Sequence, residues 1–243
     1  MPFIINQKRP YSIYIEEGRG GALAHVAELP GCFATGSTAP LAVAAVPRAI
    51  VDFLAWLKRH KEPLVPEAIA SRPTMNDISV AEVRSAGATM QAGNRAALFD
   101  FDKQAWDDYK VERTHRWLQY SRGDLLARVQ GMSEEDLKAH QIKPGRSASN
   151  TLWHIANAEY SYINHLVGPL DDAEGITEHT PSDVRERLAR TREILVRHTL
   201  AIPVDERGSI VLPTWSSKPQ EPWTLAIVLR RALEHERKHL TEL

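Results

Sequence analysis

The chain has 243 residues, of which 43% are hydrophobic and 25% are charged, so it is long enough to bury a core in one or two domains. Its 30 basic and 31 acidic residues are interspersed and leave a formal net charge of -1, which argues against nucleic acid or an anionic membrane surface as a partner. A single cysteine, Cys32, excludes an intramolecular disulfide.

Two features of the sequence bear on where the protein is located. The first ten residues, MPFIINQKRP, lack the apolar run of a signal peptide, which predicts a cytoplasmic protein. The longest apolar stretches, such as residues 41–46, fall short of the roughly 20 residues that a membrane-spanning helix needs. We therefore expect no segment that crosses a membrane.

The first sixty residues predict a small sheet covered by one helix. Residues 11–15 alternate between apolar and polar, and a second β-prone run at 22–29 follows a Gly-Gly break. A short third strand is expected before Thr38, a candidate N-cap. Residues 41–58 then place their apolar side chains along one helical stripe.

A domain boundary is predicted after this helix, because prolines at positions 63, 66 and 73 interrupt any regular element. We assign residues 1–75 to the first domain. The alternation of residues 76–101 is weak, so a linker and extra strands both remain open for that segment.

From residue 102 onward the composition becomes helical and predicts a four-helix bundle over residues 102–243. Its periodic segments span about 103–130, 148–167, 182–200 and 223–241. The long connections at 168–181 and 201–222 permit crossovers and loops that cap a site. The predicted fold class is therefore α+β, with a small sheet and one covering helix followed by an all-α bundle.

Two histidines on the last predicted helix are candidate metal ligands. His235 and His239 lie four residues apart, so both imidazoles face the same side of the helix one turn from each other. Leu229, Ala232 and Leu233 bring apolar side chains onto or beside that face, which turns the pair toward the bundle interior.

The third ligand must come from an earlier helix, because a nitrogen-ligated metal usually takes three protein groups and keeps an open position. His154, near the start of the second helix, is the best candidate, since neighbouring helices pack about 8–10 Å apart. His165, three turns further on, remains a competing candidate. Three imidazoles suit zinc, nickel, copper or iron.

Glutamates next to these histidines are the candidate catalytic residues. Glu159 and Glu236 are either solvated helix charges or carboxylates that tune the ligand histidines. His235-Glu236-x-x-His239 also fits a zinc metalloprotease pattern, but only four residues follow it, so we expect no downstream ligand and no protease. Nearby aromatic residues are expected to pack in the core rather than to line a pocket: Trp153, Tyr160, Tyr162, Trp215 and Trp223.

The segment from about Asp102 to Leu243 resembles the DinB/YfiT-like superfamily of metal-binding four-helix bundles. The resemblance lies in Trp153-His154-Ile155-Ala156 and in Glu234-His235-Glu236-Arg237-Lys238-His239. It implies that His154, His235 and His239 bind nickel, zinc or a similar divalent ion, and that the helices run up-down-down-up. Better-known relatives act on small molecules with low-molecular-weight thiols, so the resemblance implies a small-molecule substrate such as a thiol.

The segment from Tyr11 to the helix near Ile50 resembles the HicB-like antitoxin domain, a small sheet covered by one helix. Its most specific features are the Leu29-Pro30-Gly31-Cys32 turn and Gly36. Antitoxins of this kind often carry a DNA-binding segment after the domain, whereas a metal-site bundle follows here. The resemblance therefore implies a docking or dimerisation role, including a homodimer, rather than toxin neutralisation or operator binding.

Two functions follow from the sequence. The first is a metal-dependent enzyme whose three-histidine site activates a water or a low-molecular-weight thiol for transfer or hydrolysis. The alternative is a non-enzymatic binding or regulatory module that uses the HicB-like domain to recognise a partner protein.

Overall fold

The computed structural model describes residues 10–63, 71–89, 97–170, 174–177, 180–217 and 220–243, without the side chains of 86–89. The chain divides into two compact units, Met1–Phe99 and Asp100–Leu243, called here the N-terminal and C-terminal units. The first contains a mixed sheet and one long helix, and the second is mostly helical, so the predicted α+β class is confirmed.

The N-terminal unit is built on a four-stranded sheet. Its strands are β1 (Tyr11–Arg19), β2 (Gly21–Val26), β3 (Phe33–Gly36) and β4 (Ile78–Thr89), in the order β3-β2-β1-β4. β1 pairs antiparallel with β2 and parallel with β4, and β2 pairs antiparallel with β3. Of the two alternatives left open for residues 76–101, the structure therefore shows an added strand at 78–89, whereas residues 90–96 lie outside the described part.

Helix α1 (Ala39–Arg59) covers the sheet with one face. The residues on that face are buried: Ala42, Val46, Ile50, Phe53, Trp56 and Leu57. The first turn of α1 lies so close to the end of β3 that a Cβ on Gly36 would be 2.3 Å from the backbone nitrogen of Ala42. Only glycine fits there, because real Cβ atoms do not approach backbone atoms that closely.

α1 also bears on the prediction that no segment crosses a membrane. By length and composition alone it is long and apolar enough to do so, with a mean hydropathy of 1.6. Its uninterrupted apolar stretches are nevertheless short, because Pro47, Arg48 and Asp52 interrupt the sequence of the helix. A core helix of a soluble protein has the same composition, and α1 packs on the sheet, so the expectation of no membrane segment stays a prediction.

The C-terminal unit has four long helices on the four predicted segments. They are α2 (Asp108–Arg128), α4 (Ala148–Val167), α5 (Val184–Ala201) and α6 (Leu225–Leu240). Between the first two lie a short helix, α3 (Glu134–Ala139), and a hairpin of β5 (Gln141–Lys143) and β6 (Arg146–Ser147), which the sequence did not predict.

The helices of this unit share an apolar core. α4 packs against α5 and α6, and α2 packs against α6. One cluster of buried side chains joins α2, α3, α4 and α5: Leu125, Val129, Leu137, Ala148, Leu152, Ile155, Ala156, Val184 and Leu188. Burying a leucine or isoleucine stabilises a fold by about 1.5–3 kcal/mol, so this cluster fixes the start of α4.

Four buried charged residues link the long helices, one from each helix. Arg122 of α2 donates to Glu159 of α4 at 2.8 Å and to Glu236 of α6 at 2.6 Å. Arg192 of α5 donates to Glu236 at 3.1 Å and also to Glu159. Each of the four residues is at most 8% exposed. We call this closed cycle the arginine–glutamate ring.

The ring is electrically balanced, although Oε1 of Glu236 is buried without a hydrogen-bond partner among the described residues. Two guanidinium groups face two carboxylates, and the arginines also donate to the backbone carbonyls of Leu188 and Leu118. Burial alone would raise the pKa of Glu236, but the charges of the two arginines outweigh burial and hold that pKa below its ordinary value. Glu236 is therefore ionised, and its buried charge is paired with two guanidinium groups, which a buried charge requires.

Candidate metal centre

The apolar residues on α6 determine which way the two histidines of this helix face. Thr224 caps the helix by accepting a hydrogen bond from the backbone N–H of Ile227. Val228, Ala232, His235 and His239 follow one another at spacings of four, three and four, so they form one stripe of the helix. Val228 and Ala232 are buried, and the stripe therefore carries both imidazoles toward α4.

The third histidine lies in the second turn of α4. Ser147 caps this helix by accepting a hydrogen bond from the backbone N–H of Asn150 at 3.1 Å. Leu152 and Ile155, on either side of His154, are buried in the apolar core and fix the rotation of the helix. His154 itself is directed toward the histidines of α6.

The three imidazoles converge. Nε2 of His235 lies 2.9 Å from Nε2 of His154 and 3.2 Å from Nε2 of His239. One ring nitrogen from each of the three residues lies within 4.8 Å of the other two. We call this group the histidine cluster, and it brings together the three residues predicted as metal ligands.

The cluster holds its imidazoles neutral, which is the form that binds a metal. Burial is the main cause: together with nearby positive charges it lowers the pKa of His154 to about 4 and that of His235 to about 2. Burial also lowers the pKa of His239, although Glu242 opposes that effect. His239 is 1% exposed, whereas His154 and His235 are partly exposed, so one side of the cluster is open to solvent.

Glu242 sets the tautomer of one ligand. Its Oε2 lies 2.7 Å from Nδ1 of His239, so Nδ1–H donates to the carboxylate and Nε2 keeps its lone pair. A carboxylate behind a ligand histidine orients the ring and raises its basicity. This role was not predicted, although the spacing of three residues between His239 and Glu242 is the sequence signal for such a contact.

Hydrogen bonds among the three neutral imidazoles cannot satisfy all of their converging nitrogens, whereas a bound cation can. A neutral imidazole nitrogen either donates or accepts one hydrogen bond, so Nε2 of His235 cannot satisfy both of its neighbours. Nitrogens about 2.0–2.1 Å from a tetrahedral ion lie about 3.3 Å from one another. The separations of 2.9 and 3.2 Å are close to that value, so the three residues fit a divalent transition metal.

The two predicted catalytic carboxylates lie elsewhere. Glu159 and Glu236 belong to the arginine–glutamate ring, and in the described structure neither makes a hydrogen bond to a histidine of the cluster. Glu236 is 1% exposed, so the glutamate of the protease-like pattern is buried against arginines instead of facing a substrate. A catalytic role for either carboxylate stays a prediction.

His165, the competing candidate for the third ligand, is directed away from the cluster. Its Nε2 lies 2.8 Å from Oγ of Ser216, and its ring stacks on Trp223 with centroids 4.8 Å apart. Tyr162 connects that stack to the cluster, with its ring centroid 5.5 Å from Trp223 and 6.1 Å from His235. As expected, Tyr162 and Trp223 are core residues, whereas Trp215 is 44% exposed.

Comparison with known proteins adds one match. A family model described as the DinB superfamily matches residues 117–243, more than half of the chain. No curated protein and no solved structure matches the chain. The match includes all three histidines of the cluster and Glu242.

Proposed function

The chain belongs to the DinB superfamily, whose members typically bind a metal, and from that premise we propose that it is a metal-dependent enzyme. Its divalent ion is held by His154, His235 and His239. The observation that carries the proposal is the convergence of three Nε2 atoms from two helices, with the lone pair of His239 fixed by Glu242.

The chain's own residues provide what such a site needs. Burial keeps the imidazoles neutral, Glu242 orients His239, and His154 and His235 are partly exposed, so that a small molecule can reach them. When bound, a divalent transition metal supplies Lewis acidity, which lowers the pKa of a coordinated water or thiol. The proposed reaction is therefore transfer or hydrolysis by an activated water or low-molecular-weight thiol.

Several further features belong to the proposal. Nickel or zinc is the proposed metal, because neutral imidazole suits both ions. We also propose that the four long helices run up-down-down-up, that the protein works in the cytoplasm as a monomer or homodimer, and that its substrate is a small molecule. Glu159 and Glu236 act on the histidines indirectly, by fixing the positions of α4 and α6.

A binding or regulatory module is the second candidate function. It is favoured by β4 of the N-terminal unit, where Val80 and Val83 are 47% and 48% exposed. Apolar side chains on an accessible strand suit contact with a partner protein. In this alternative the N-terminal unit acts as the HicB-like domain that its sequence resembles, and the histidine cluster carries no catalysis.

Elemental analysis distinguishes the metal-dependent enzyme from the binding module. Protein purified without a chelator or a histidine tag is expected to contain about one divalent transition metal per chain, since the cluster offers three ligands. Replacing any one of His154, His235 and His239 with alanine should remove most of it, whereas the exposed His140→Ala control should retain it. Full retention in all three variants, or no metal even after reconstitution, would overturn the enzyme proposal and favour the binding module.

A further inference from the structure

The β5–β6 hairpin places two cations beside the histidine cluster. Lys143 and Arg146 are paired across the hairpin, so their side chains lie on the same face of it. The turn between them is Pro144-Gly145, and Gly145 has the positive φ of 76° that favours glycine. The hairpin leads directly into α4, because Ser147 both ends β6 and caps that helix.

A hydrogen bond positions Arg146, and a longer ion pair brings Lys143 near the site. Nε of Arg146 donates to the hydroxyl of Thr151 at 3.0 Å, and Thr151 lies three residues before His154 on the same side of α4. Nζ of Lys143 lies 4.0 Å from Oε1 of Glu242, the carboxylate that orients His239. The hairpin is therefore joined to the site from two directions.

One N–H donor of Arg146 has no hydrogen-bond acceptor in the described part of the chain. Its Nη2 is buried and has no hydrogen-bond partner among the described residues. Leaving a buried donor without an acceptor costs about 1–3 kcal/mol, and more when the group is charged. Because Arg146 as a whole is only half-buried, a small molecule that binds beside it can supply the missing acceptor.

The charge around the cluster favours a negatively charged molecule. Arg146 and Lys143 carry positive charge near His154, and Lys238 and Arg231 carry positive charge near His235. The carboxylate of Glu242, next to His239, offsets part of this charge. Three neutral imidazoles do not offset the two positive charges of a divalent ion, so the loaded site carries a substantial positive charge.

We propose that Arg146, assisted by Lys143, binds an oxyanion group of the substrate beside His154, so that the site selects small molecules carrying a carboxylate or a similar anionic group. This inference rests on the proposed metal-dependent function. Guanidinium is suited to the role, because its planar fork matches the two oxygens of a carboxylate. The substrate class is thereby narrowed from any small molecule to an anionic one.

Three thiols of similar size and different charge test the proposal: mercaptoacetate is anionic, 2-mercaptoethanol is neutral and cysteamine is cationic. The full-length protein is loaded with Co²⁺, its metal content is measured, and thiol binding is followed by the thiolate-to-cobalt absorption in the near ultraviolet. Each variant is compared with the wild type for the same thiol, which cancels differences in thiol acidity.

In Arg146→Gln the dissociation constant of mercaptoacetate should rise about 10- to 100-fold, the usual effect of a lost charge-assisted hydrogen bond. That of 2-mercaptoethanol should change less than about threefold, because it has no anionic group to lose a partner. Arg146→Lys should recover part of the affinity for mercaptoacetate. The exposed Lys138→Gln on α3 is the matched control and should behave like the wild type.

The possible results distinguish a failure of oxyanion binding by Arg146 from a failure of the proposed metal-dependent function. An equal loss for mercaptoacetate and 2-mercaptoethanol in Arg146→Gln would make Arg146 a purely structural residue and overturn the inference alone. Failure of the wild type to bind Co²⁺ would overturn the proposed function, and this inference with it. If Arg146→Gln itself loses the metal, Lys143→Gln decides, with an expected weakening of about two- to fivefold for mercaptoacetate only, as for a partly exposed charge.

Discussion

The arginine–glutamate ring and the histidine cluster share two helices, α4 and α6, yet they differ in charge balance. Glu159 lies five residues after His154 on α4, and Glu236 lies between His235 and His239 on α6. The ring pairs two guanidiniums with two carboxylates. The cluster instead brings together three neutral imidazoles whose nitrogens do not satisfy one another.

The difference indicates which buried polar group stabilises the fold and which binds a ligand. A closed network in which every charge is paired stabilises a single arrangement of its helices. A cluster of imidazole nitrogens that cannot all be satisfied by one another's protons is suited to a cation. We therefore expect the ring to stabilise the fold and the cluster to hold the proposed metal, and the two groups should respond differently to substitution, metal and acid.

Opening the ring should have the largest effect. Glu159→Ala leaves two buried guanidiniums facing one carboxylate, and removing one partner of a buried ion pair costs about 3–5 kcal/mol. Denaturant unfolding followed by tryptophan fluorescence reports on the C-terminal unit, which contains the ring, because five of the six tryptophans lie within residues 100–243.

The matched control for that experiment is Glu193→Ala on α5. The side chain of Glu193 is 59% exposed and pairs with Arg190 at the surface, so its loss should cost no more than about 0.5 kcal/mol. A loss below about 1 kcal/mol for Glu159→Ala would show that the ring contributes little to stability.

Metal should stabilise the protein only through the cluster. At a free Zn²⁺ or Ni²⁺ concentration 100 times the dissociation constant, the unfolding free energy of the wild type should rise by about 2.7 kcal/mol. His235→Ala should show almost no rise, because one of three ligands is missing. The same denaturant titration, with and without metal, measures both, and equal stabilisation of the two proteins would place the metal outside the cluster.

Acid should act on the metal-free protein through the cluster histidines, whose pKa values are lowered, and also through a buried histidine outside both groups. His115 contacts Thr199 at 2.9 Å, and burial, with the charges of Arg192 and Arg207, lowers its pKa to about 4. The unfolded chain binds this proton near pH 6.5, so the contribution of neutral His115 is complete above about pH 6.5 and is lost as the pH falls toward about 4. That contribution amounts to at most about 3 kcal/mol.

Unfolding of the metal-free protein between about pH 7.5 and about pH 4 measures this effect. In His115→Gln the stability should fall less steeply over that range than in the wild type, whereas the exposed His140→Gln should follow the wild type. Identical slopes for the wild type and His115→Gln would show that His115 takes up its proton without cost to the fold.

The smallest predicted effect is at Glu242. Glu242→Ala leaves all three ligands in place but removes the carboxylate behind His239, which should weaken metal binding about 10- to 100-fold. Competition with a chelating dye measures the affinity, and the exposed Glu135→Ala is the control. A change of less than about twofold would mean that Glu242 does not tune the ligand.

The sequence predicted the histidine cluster because its signals are local. The spacing of His235 and His239 follows from helix geometry, and the apolar residues around His154 place it on the inner face of α4. The choice of His154 over His165 depended on the relative heights of two helices, which no local pattern contains.

The arginine–glutamate ring could not be predicted in this way. Its four members are separated by up to 114 residues, and α5 carries its ring member among arginines that resemble a solvated helix face. Charge type and spacing do not show which arginine is buried, since burial depends on which carboxylates the other helices present. The hairpin that carries Arg146 was missed because β5 and β6 contain only three and two residues.

The ring also restricts the rotation of each of its helices about the helix axis. A rotation of about 20° around the axis of α4 would move an atom about 6 Å from that axis by about 2 Å. Ligand groups must be held within about 0.5 Å of their working positions. Because Glu159 is clamped by two arginines on different helices, α4 cannot turn by that amount without breaking a bond. Arg122 and Arg192 thereby limit how far the imidazole of His154 can move from the position that the proposed metal site needs.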